Sequence, residues 1–246
     1  YANKMLNLPD EYKVSGMPNG NQRIYEGKDI YRWEMRQFAG LDEKGNSLWY
    51  MDQDILDDAG NVVGVEKVTT GDATEATQYL LEKSALPDFT GGLNTTLRWK
   101  SLDLTIMTNF QFGGYGYDYD FSAFSSANFP MNRLKNYADA WNPETGKGSA
   151  PIWNTNDSNI NASSDRFLIS KTYFNLRNIT LGYNFEKQAW LTRMGIQSLR
   201  AYLSVQNPFI ICSPFHKETG LDPETNSYGN ENVAVTEGIQ KRFLTV

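Results

Sequence analysis

Cysteine and histidine are almost absent from this chain of 246 residues, which has one of each, Cys212 and His216. A disulfide scaffold is excluded because every disulfide needs a pair of cysteines. A metal cluster of His and Cys ligands is excluded because such sites use more of these residues than the chain contains. A Ser-His-Asp triad would have to use His216, which lies in a proline-flanked segment with no other catalytic signal.

Long hydrophobic runs and an excess of positive charge are missing as well. The sequence has no stretch of about 18 apolar residues, which excludes a helical membrane protein. There are 23 Lys and Arg against 29 Asp and Glu, and the net charge of −6 provides no basic field for nucleic-acid phosphates. Aromatic residues are abundant instead, with 6 Trp, 14 Tyr and 13 Phe, which excludes intrinsic disorder. With 20 Gly, this composition favours β-structure with long polar loops.

Apolar and polar residues alternate at every second position in several segments, a pattern typical of β-strands. The alternation is clearest in segments 93–100, 102–113, 178–185 and 199–206, and it is weaker in 31–36 and 243–246. Strands in soluble domains usually have about 5–6 residues, whereas a strand that crosses a bilayer at a tilt needs about 9–11. The length of the clear segments therefore favours transmembrane strands.

The connections between the predicted strands differ in length. A tight turn at 99–102 and a moderately short connection at 186–197 contrast with the long stretches 40–88, 119–170 and 211–240. Aromatic residues cluster near the strand ends: Trp99, Phe110, Phe112, Tyr115, Tyr117, Tyr183 and Phe185. Short turns on one side, long extracellular loops on the other and aromatic girdles are typical of an outer-membrane β-barrel. The alternative is a soluble β-sandwich with decorated loops, whose apolar faces would form its core.

In a barrel, the two faces of each strand are expected to have different surroundings. The polar face is predicted to line the lumen, and its candidates are Asp103, Thr105, Asn109, Gln111, Arg200, Tyr202 and Gln206. The apolar face is predicted to contact lipid, and its candidates are Leu104, Ile106, Phe110, Ile179, Leu181, Leu199, Leu203 and Val205.

Two helices are predicted within the long stretches. Asp72 and Glu75 have the spacing of a capping box and would open a helix that runs toward Leu81. A second helix is predicted over 131–141, where apolar residues share one helical face before Pro143 ends it. Both helices are expected to pack on other loop structure.

Exposed aromatic residues in the long loops are candidates for contact with a substrate, because rings stack on sugars and line peptide grooves. These candidates are Tyr115, Tyr117, Trp141 and Trp153, and the alternative is that they pack the loops together. Asp52, Asp54 and Asp57 are weak candidates for Ca²⁺ ligands. Their spacing does not match an EF-hand loop, and a solvated turn is the preferred interpretation. Acidic residues are plentiful, but no pair is placed as a glycoside hydrolase would need.

Several blocks of sequence, taken in order, resemble the C-terminal third of SusC/RagA-type TonB-dependent outer-membrane transporters. The most specific block is SDRFL at 164–168, followed by YFNLRNITLGY at 173–183. The other blocks are FAGLDEKG at 38–45, LPDFTGGL at 86–93, YADAWNPE at 137–144, VQNPF at 205–209 and GLDPE at 220–224. Each block alone is weak, but their order and spacing extend over nearly the whole chain.

The resemblance implies an all-β fold in which residues 1–246 form the C-terminal part of a large antiparallel transmembrane barrel. The family barrel has 22 strands and a plugged lumen, with small helices in long extracellular loops. The plug domain, the TonB box, the earlier strands and a terminal Phe are expected in a longer polypeptide, of which this chain would be a fragment supplying about the last seven strands.

The resemblance also implies a function: active import of an oligosaccharide or a peptide across the Gram-negative outer membrane, driven by TonB. A SusD-like surface lipoprotein would cover the extracellular loops, outer-membrane lipid would surround the barrel, and neither a cofactor nor enzymatic activity is expected. The alternative function is a soluble extracellular β-sandwich module that binds glycans through its loop aromatics. A glycan hydrolase with an acidic pair is the least favoured hypothesis.

Overall fold

The computed structural model describes residues 3–125, 139–154, 157, 159–186, 188–212, 224 and 243–245 of the chain. Strands dominate this part of the chain. They are β1 (Met17–Asn19), β2 (Gln22–Ile24), β3 (Arg32–Arg36), β4 (Phe38–Leu41), β5 (Ser47–Leu56), β6 (Val62–Thr70), β7 (Gln78–Ser84), β8 (Pro87–Trp99), β9 (Leu102–Gly113), β10 (Tyr115–Tyr117), β11 (Leu168–Ser170), β12 (Tyr173–Glu186), β13 (Ser198–Cys212) and β14 (Phe243–Thr245). The helical elements are α1 (Tyr119–Phe124), α2 (Ala189–Arg193) and two 3-10 turns, Asp10–Tyr12 and Asp165–Phe167. Across the described ranges, no helix is both long enough and apolar enough to span a membrane.

Five strands form an antiparallel sheet in the order β14-β13-β12-β9-β8, which we call the long sheet. Four of its strands have 12 to 15 residues. The four clear alternating segments all lie in it, which confirms the strands predicted there. The predicted tight turn between β8 and β9 is also present, and Lys100 takes a positive φ of 54° to make it. Period-two patterning is a reliable signal here because these strands have one polar and one apolar face.

The remaining strands pack at the end of the long sheet where β9 ends and β12 begins. One sheet has the order β1-β2-β3-β7, and β10 pairs with β11 beside α1. The name loop module is used below for β1, β2, β3, β7, β10, β11, α1 and the 3-10 turn Asp165–Phe167. Its core contains Trp33, Met35, Leu81, Ala85, Tyr117, Phe121 and Phe167. The weakly alternating segment 31–36 is thus a strand of this module, and its Trp33 and Met35 are core residues.

The stretch 40–88, predicted as a long connection, contains further β-structure. A three-stranded antiparallel sheet of order β4-β5-β6 occupies its first part. The strand β7 follows and pairs with β3, so that Met35 lies opposite Tyr79. The described residues are therefore mostly strands, as an all-β fold requires, whereas closure into a barrel of 22 strands stays a prediction.

The helix predicted from Asp72 toward Leu81 is wrong. The Asp72 carboxylate accepts hydrogen bonds from the backbone N–H and the hydroxyl of Thr74, both at 2.8 Å, and this closes a turn. Glu75 accepts from the Thr70 hydroxyl at 3.0 Å. Asp and Thr side chains can satisfy the backbone of a turn as well as that of a helix start, so the capping-box pattern was ambiguous. Pairing with β3 then draws the following residues into strand β7.

The second predicted helix, over 131–141, lies mainly outside the described residues. Its last residues are described, and they form an isolated β-bridge instead of a helix. Ala140 pairs with Ala150, and the Trp141 N–H donates to the Ala150 carbonyl at 2.8 Å. The short helices α1 and α2 were not predicted. Asp118 caps α1 by accepting from the Phe121 N–H at 2.8 Å.

We predict that the loop module depends on Trp33. This residue is fully buried, and its indole N–H donates to the Tyr115 carbonyl at 3.0 Å. Trp33→Ala is expected to lower the free energy of unfolding by about 3–5 kcal/mol, because it removes a large core side chain and leaves a cavity. Thermal unfolding and limited proteolysis of the full-length protein would measure the loss. The matched control is Trp153→Ala at a residue 45% exposed, where a comparable loss would contradict the assignment.

A second prediction concerns Lys171, which is buried between β11 and β12. Desolvation lowers the pKa of Lys171 to about 8 from its ordinary 10.5. Between these values the unfolded chain binds the proton and the folded chain does not, so the unfolding free energy should rise as the pH increases from about 8 to about 10.5. The rise is at most about 3.5 kcal/mol, at about 1.4 kcal/mol for each pKa unit.

Lys171→Met should remove this rise, because the variant has no group to discharge, and it should be more stable than the parent at neutral pH. Denaturant titrations across this pH range would measure both effects. Lys147→Met changes an exposed lysine and serves as the control. A rise that persists in Lys171→Met would assign the pH dependence to another group.

Candidate functional site

The candidate site is the polar face of the long sheet, and its residues are brought together by strand register. Thr105 lies opposite Thr96 on β8 and opposite Thr180 on β12, while Ser204 on β13 lies opposite Thr180. The Thr96 and Thr105 hydroxyls are 3.1 Å apart, and the Thr180 and Ser204 hydroxyls are 2.8 Å apart. These two hydrogen-bonded pairs lie side by side in one row of hydroxyl groups across all four long strands.

An ion pair crosses the polar face near its short-turn end. Arg200 on β13 donates to the Asp103 carboxylate on β9 at 2.5 Å, and Asn184 donates to the same carboxylate at 3.4 Å. The strand between them, β12, presents Gly182 under the pair. A Cβ at Gly182 would lie 2.6 Å from an Asp103 carboxylate oxygen and 2.7 Å from an Arg200 guanidinium nitrogen. Glycine at this position therefore allows the two charged side chains to meet over the intervening strand.

A buried carboxylate occupies the same face nearer the long-loop end. Glu224 accepts hydrogen bonds from the side-chain amides of Asn175, at 2.7 Å, and Asn109, at 3.2 Å. The Arg177 guanidinium forms an ion pair with it. Its side chain is only 9% exposed, so three donors from β9 and β12 replace the water it has lost.

A β-bulge explains why so many polar side chains converge here. The register of β12 shifts between Leu176 and Asn178 relative to both neighbouring strands. Arg177 occupies the bulge and contacts Glu224, while Asn178 resumes the polar face and accepts from Ser204 at 2.9 Å. Bulges commonly redirect side chains in this way.

The structure places all the predicted lumen candidates on this one face. Gln111 is buried and donates to the Lys171 carbonyl at 3.2 Å. Tyr202 packs its ring 5.8 Å from the Arg200 guanidinium, and Gln206 lies opposite Asn178. The remaining candidates, Asp103, Thr105, Asn109 and Arg200, make the contacts described above. That this face lines a lumen stays a prediction.

The predicted lipid candidates share the opposite face. Leu104 lies opposite Leu97 and Leu181, and Leu181 lies opposite Leu203. Ile106 and Ile179 face each other, as do Ile179 and Val205. Two further candidates have apolar partners as well: Phe110 stacks on Phe174 at 6.5 Å, and Leu199 lies opposite Phe185. Contact of this face with lipid also stays a prediction.

The loop aromatics that were predicted to contact a substrate are more buried than expected. Tyr117 is 3% exposed and packs against Phe167 in the module core, so the structure corrects its assignment as a surface contact. Tyr115 packs partly against the same core. Trp141 lies on Gly45, whose added Cβ would be 2.2 Å from the indole ring. Of the four, only Trp153 is largely exposed, at 45%, and it remains the best placed to meet a ligand.

The three weak Ca²⁺ candidates do not converge. Asp52 and Asp54 lie on β5, and Asp57 begins the turn that follows it. The Asp52 carboxylate accepts from the Tyr79 hydroxyl at 2.6 Å. Asp57 accepts from the N–H groups of Ala59 and Asn61 at 2.9 and 2.8 Å, contacts that lower the pKa of Asp57. Among the described residues, no three His, Cys, Asp or Glu side chains lie close enough to hold a metal ion.

The sequence analysis missed Glu224, Asn175 and Arg177 as site residues. Glu224 and Arg177 both lie in blocks that were singled out as motifs, GLDPE and YFNLRNITLGY. An isolated motif gives no distance to a partner 47 residues away. The SDRFL block also has an evident role: Asp165 accepts from the Phe38 N–H at 2.9 Å, and Arg166 lies 5.3 Å from the Phe167 ring. It joins β4 to the loop module.

Comparison with known proteins agrees with these motifs. No protein-family model matches the chain. The chain is similar to TonB-dependent receptor P3 of Formosa agariphila, with 26% identity over 94% of this chain and 23% of that protein. It is also similar to TonB-dependent receptor SusC of Bacteroides thetaiotaomicron, with 28% identity over 73% of this chain and 17% of the relative. The chain thus spans about a quarter or less of the length of these relatives.

Solved structures agree as well. The RagAB peptide transporter gives a TM-score of 0.63 at 24% identity, covering 87% of this chain and 22% of the matched chain. The RagAB peptide importer in its open-open state gives a TM-score of 0.68 at 22% identity, covering 92% of this chain and 24% of that one. The sequence motifs, the curated relatives and the fold therefore agree: this chain is similar to SusC/RagA-type TonB-dependent transporters.

Proposed function

We propose that this chain forms the C-terminal part of the barrel of a TonB-dependent importer in the Gram-negative outer membrane. The observation that carries the proposal is the two-faced long sheet. Its apolar face stays open within the described residues, with Leu97 58%, Leu181 47% and Leu203 45% exposed. A soluble β-sandwich would bury such a face beneath a second sheet. A barrel wall presents it to lipid and keeps the polar face inward.

The position of the loop module supports an orientation. The short turn at 99–102 and the β12–β13 connection lie at one end of the long sheet, because Tyr183 pairs with Leu102 and Glu186 with Ser198. The loop module lies at the other end, where Gly113 and Tyr173 mark the limits of β9 and β12. In outer-membrane barrels the short turns are periplasmic and the long loops extracellular. The module would accordingly face the outside of the cell.

The remaining parts of the proposal follow from the relatives. The TonB complex would act through a plug domain, and a SusD-like surface lipoprotein would sit over the extracellular loops. The cargo would be an oligosaccharide or a peptide, and the RagAB relatives are described as peptide transporters. Import of an unaltered nutrient needs binding and passage but no covalent chemistry. A role for this chain as an enzyme is therefore not part of the proposal.

Uptake by the full-length protein tests this function. Cells that express it, with and without a functional TonB, would be given a fluorescein-labelled peptide and a fluorescein-labelled malto-oligosaccharide. We expect at least one probe to enter the periplasm only when TonB is functional. Entry that does not depend on TonB, or no entry of either probe, would contradict the proposal.

The lipid-facing assignment can be tested with neighbouring residues on opposite faces of β9. Ile106→Arg should destabilise the barrel by about 2–4 kcal/mol, because it places a charge in the hydrocarbon core near the midplane. Met107→Arg on the polar face is the matched control and should cost much less. Outer-membrane abundance and heat-modifiable gel mobility would report assembly, and urea titration would report stability. Equal effects of the two substitutions would refute the assignment of the faces.

A further inference from the structure

The short connection between β12 and β13 carries a large exposed apolar surface. Trp190 in α2 is 46% exposed, Met194 at the C-terminal end of the helix is 57% exposed, and Ile196 just beyond it is 37% exposed. Trp190, Arg193 and Met194 share one face of α2, because residues three and four apart are neighbours on a helix. Leu191 is only 1% exposed and packs into the protein. The helix is therefore held by a buried side chain and presents an apolar face that includes one cation.

The end of α2 is a well-defined helix stop. Gly195 has a positive φ of 72°, and its N–H donates to the Thr192 carbonyl at 3.1 Å. The Ile196 N–H donates to the Leu191 carbonyl at 2.9 Å. These are the two hydrogen bonds of a Schellman motif, which satisfies carbonyl groups that a helix end otherwise leaves to water. The backbone at this point can therefore lie where water is scarce.

The apolar face of α2 continues into the apolar face of the long sheet. The Trp190 ring packs edge-on against Phe185 at 6.1 Å, and Phe185 packs edge-on against Tyr183 at 4.6 Å. Tyr183 lies opposite Leu102 on β9, and Leu102 lies opposite Trp99 on β8, which is 67% exposed. An apolar strip thus runs from β8 to α2 along the short-turn end of the sheet. Tyr and Trp rings prefer the boundary between hydrocarbon and water.

Two cations border this strip. The Lys100 ammonium lies 5.0 Å from the centre of the Trp99 ring, and Arg193 lies on the exposed face of α2. Within the described ranges, neither cation forms an ion pair with a carboxylate. Glu186, the last residue of β12, belongs to the other face of the strand, since successive side chains alternate. The charge beside the apolar strip is therefore positive, which complements the phosphate of an anionic lipid.

We propose that α2 and the turn at 99–102 form an interfacial anchor that binds anionic phospholipid at the periplasmic surface of the outer membrane. The side chains of Trp190, Met194 and Ile196 enter the boundary between headgroups and acyl chains to a depth of about 5–10 Å. Lys100 and Arg193 keep their charged ends at the headgroup level and pair with phosphates there. This inference rests on the proposed function for the membrane and for the orientation of the barrel.

Spin labels can measure whether α2 enters the bilayer. The full-length protein, freed of other cysteines by changes such as Cys212→Ser, would carry a nitroxide at Met194→Cys in vesicles of phosphatidylethanolamine and phosphatidylglycerol. We expect the label to collide several-fold more with oxygen, which concentrates in the bilayer, than with a nickel chelate, which stays in water. Val63→Cys is the matched control, because Val63 on β6 is also apolar and 63% exposed, and its label should be open to the chelate.

A third label, at Ile106→Cys on the apolar face of β9, separates this inference from the proposed function. If the label at 106 lies in hydrocarbon but the label at 194 is as open to the chelate as the label at 63, the anchor is overturned and the barrel stands. A label at 194 shielded from both reagents would also overturn the anchor, because protein would then cover α2. A label at 106 outside hydrocarbon would count against the proposed function, and the anchor would fall with it.

The role of the two cations can be tested by counting retained lipids. Native mass spectrometry of protein released from the same vesicles would compare the parent with Lys100→Gln, Arg193→Gln and the double variant. We expect the double variant to retain several-fold less phosphatidylglycerol, with phosphatidylethanolamine little changed. Lys147→Gln removes an exposed lysine outside the anchor and should change neither. Heat-modifiable mobility would confirm assembly, and equal retention of phosphatidylglycerol by the parent and the assembled double variant would overturn the binding of anionic lipid.

Discussion

Antiparallel backbone pairing of β9 with β12, and of β12 with β13, is the constraint on which the rest of this structure depends. Side chains alternate across a strand, so once Thr105 is set opposite Thr180, every polar and apolar residue of these strands is assigned a face. The Asp103–Arg200 pair and the Thr and Ser row follow from that register, and the Glu224 contacts follow from its shift at the bulge between Leu176 and Asn178. A slip of one residue would carry the apolar side chains to the polar face and separate the charged partners.

The same constraint explains what the sequence could predict. The four long strands were found because each has one polar and one apolar face, and period two is then written directly into the sequence. The loop module as a whole was not predicted. The weak alternation of segment 31–36 indicated its strand β3, but that strand is short and its partner β7 lies far along the chain. A capping pattern at Asp72 was read as a helix because turn and helix start use the same side-chain hydrogen bonds.

The site residues, like the strands, could be predicted only in part from the sequence. A face can be assigned from one strand alone, and the lumen and lipid candidates accordingly fell on separate faces. Partners cannot be assigned in this way, since Arg200 and Asp103 are 97 residues apart and Glu224 reaches Asn109 over 115 residues. Tyr117 was expected to be exposed because it lies in or near a long loop, yet its ring packs against Trp33, Tyr119 and Phe167. Because the core is built from segments that are distant in the sequence, the residues next to Tyr117 show no pattern that would predict its burial.

The shared core of the loop module has a consequence for how such proteins diversify. Its residues come from two separate insertions, with Trp33, Met35 and Leu81 preceding β8 and Tyr117, Phe121 and Phe167 lying between β9 and β12. The second insertion leaves and rejoins the long sheet at neighbouring points, since the Gly113 N–H donates to the Thr172 hydroxyl at 3.1 Å. Such an insertion could be exchanged without disturbing the long sheet, were it not packed against the first. The two insertions therefore constrain each other, and a change to one that alters the shared core must be matched by a change in the other.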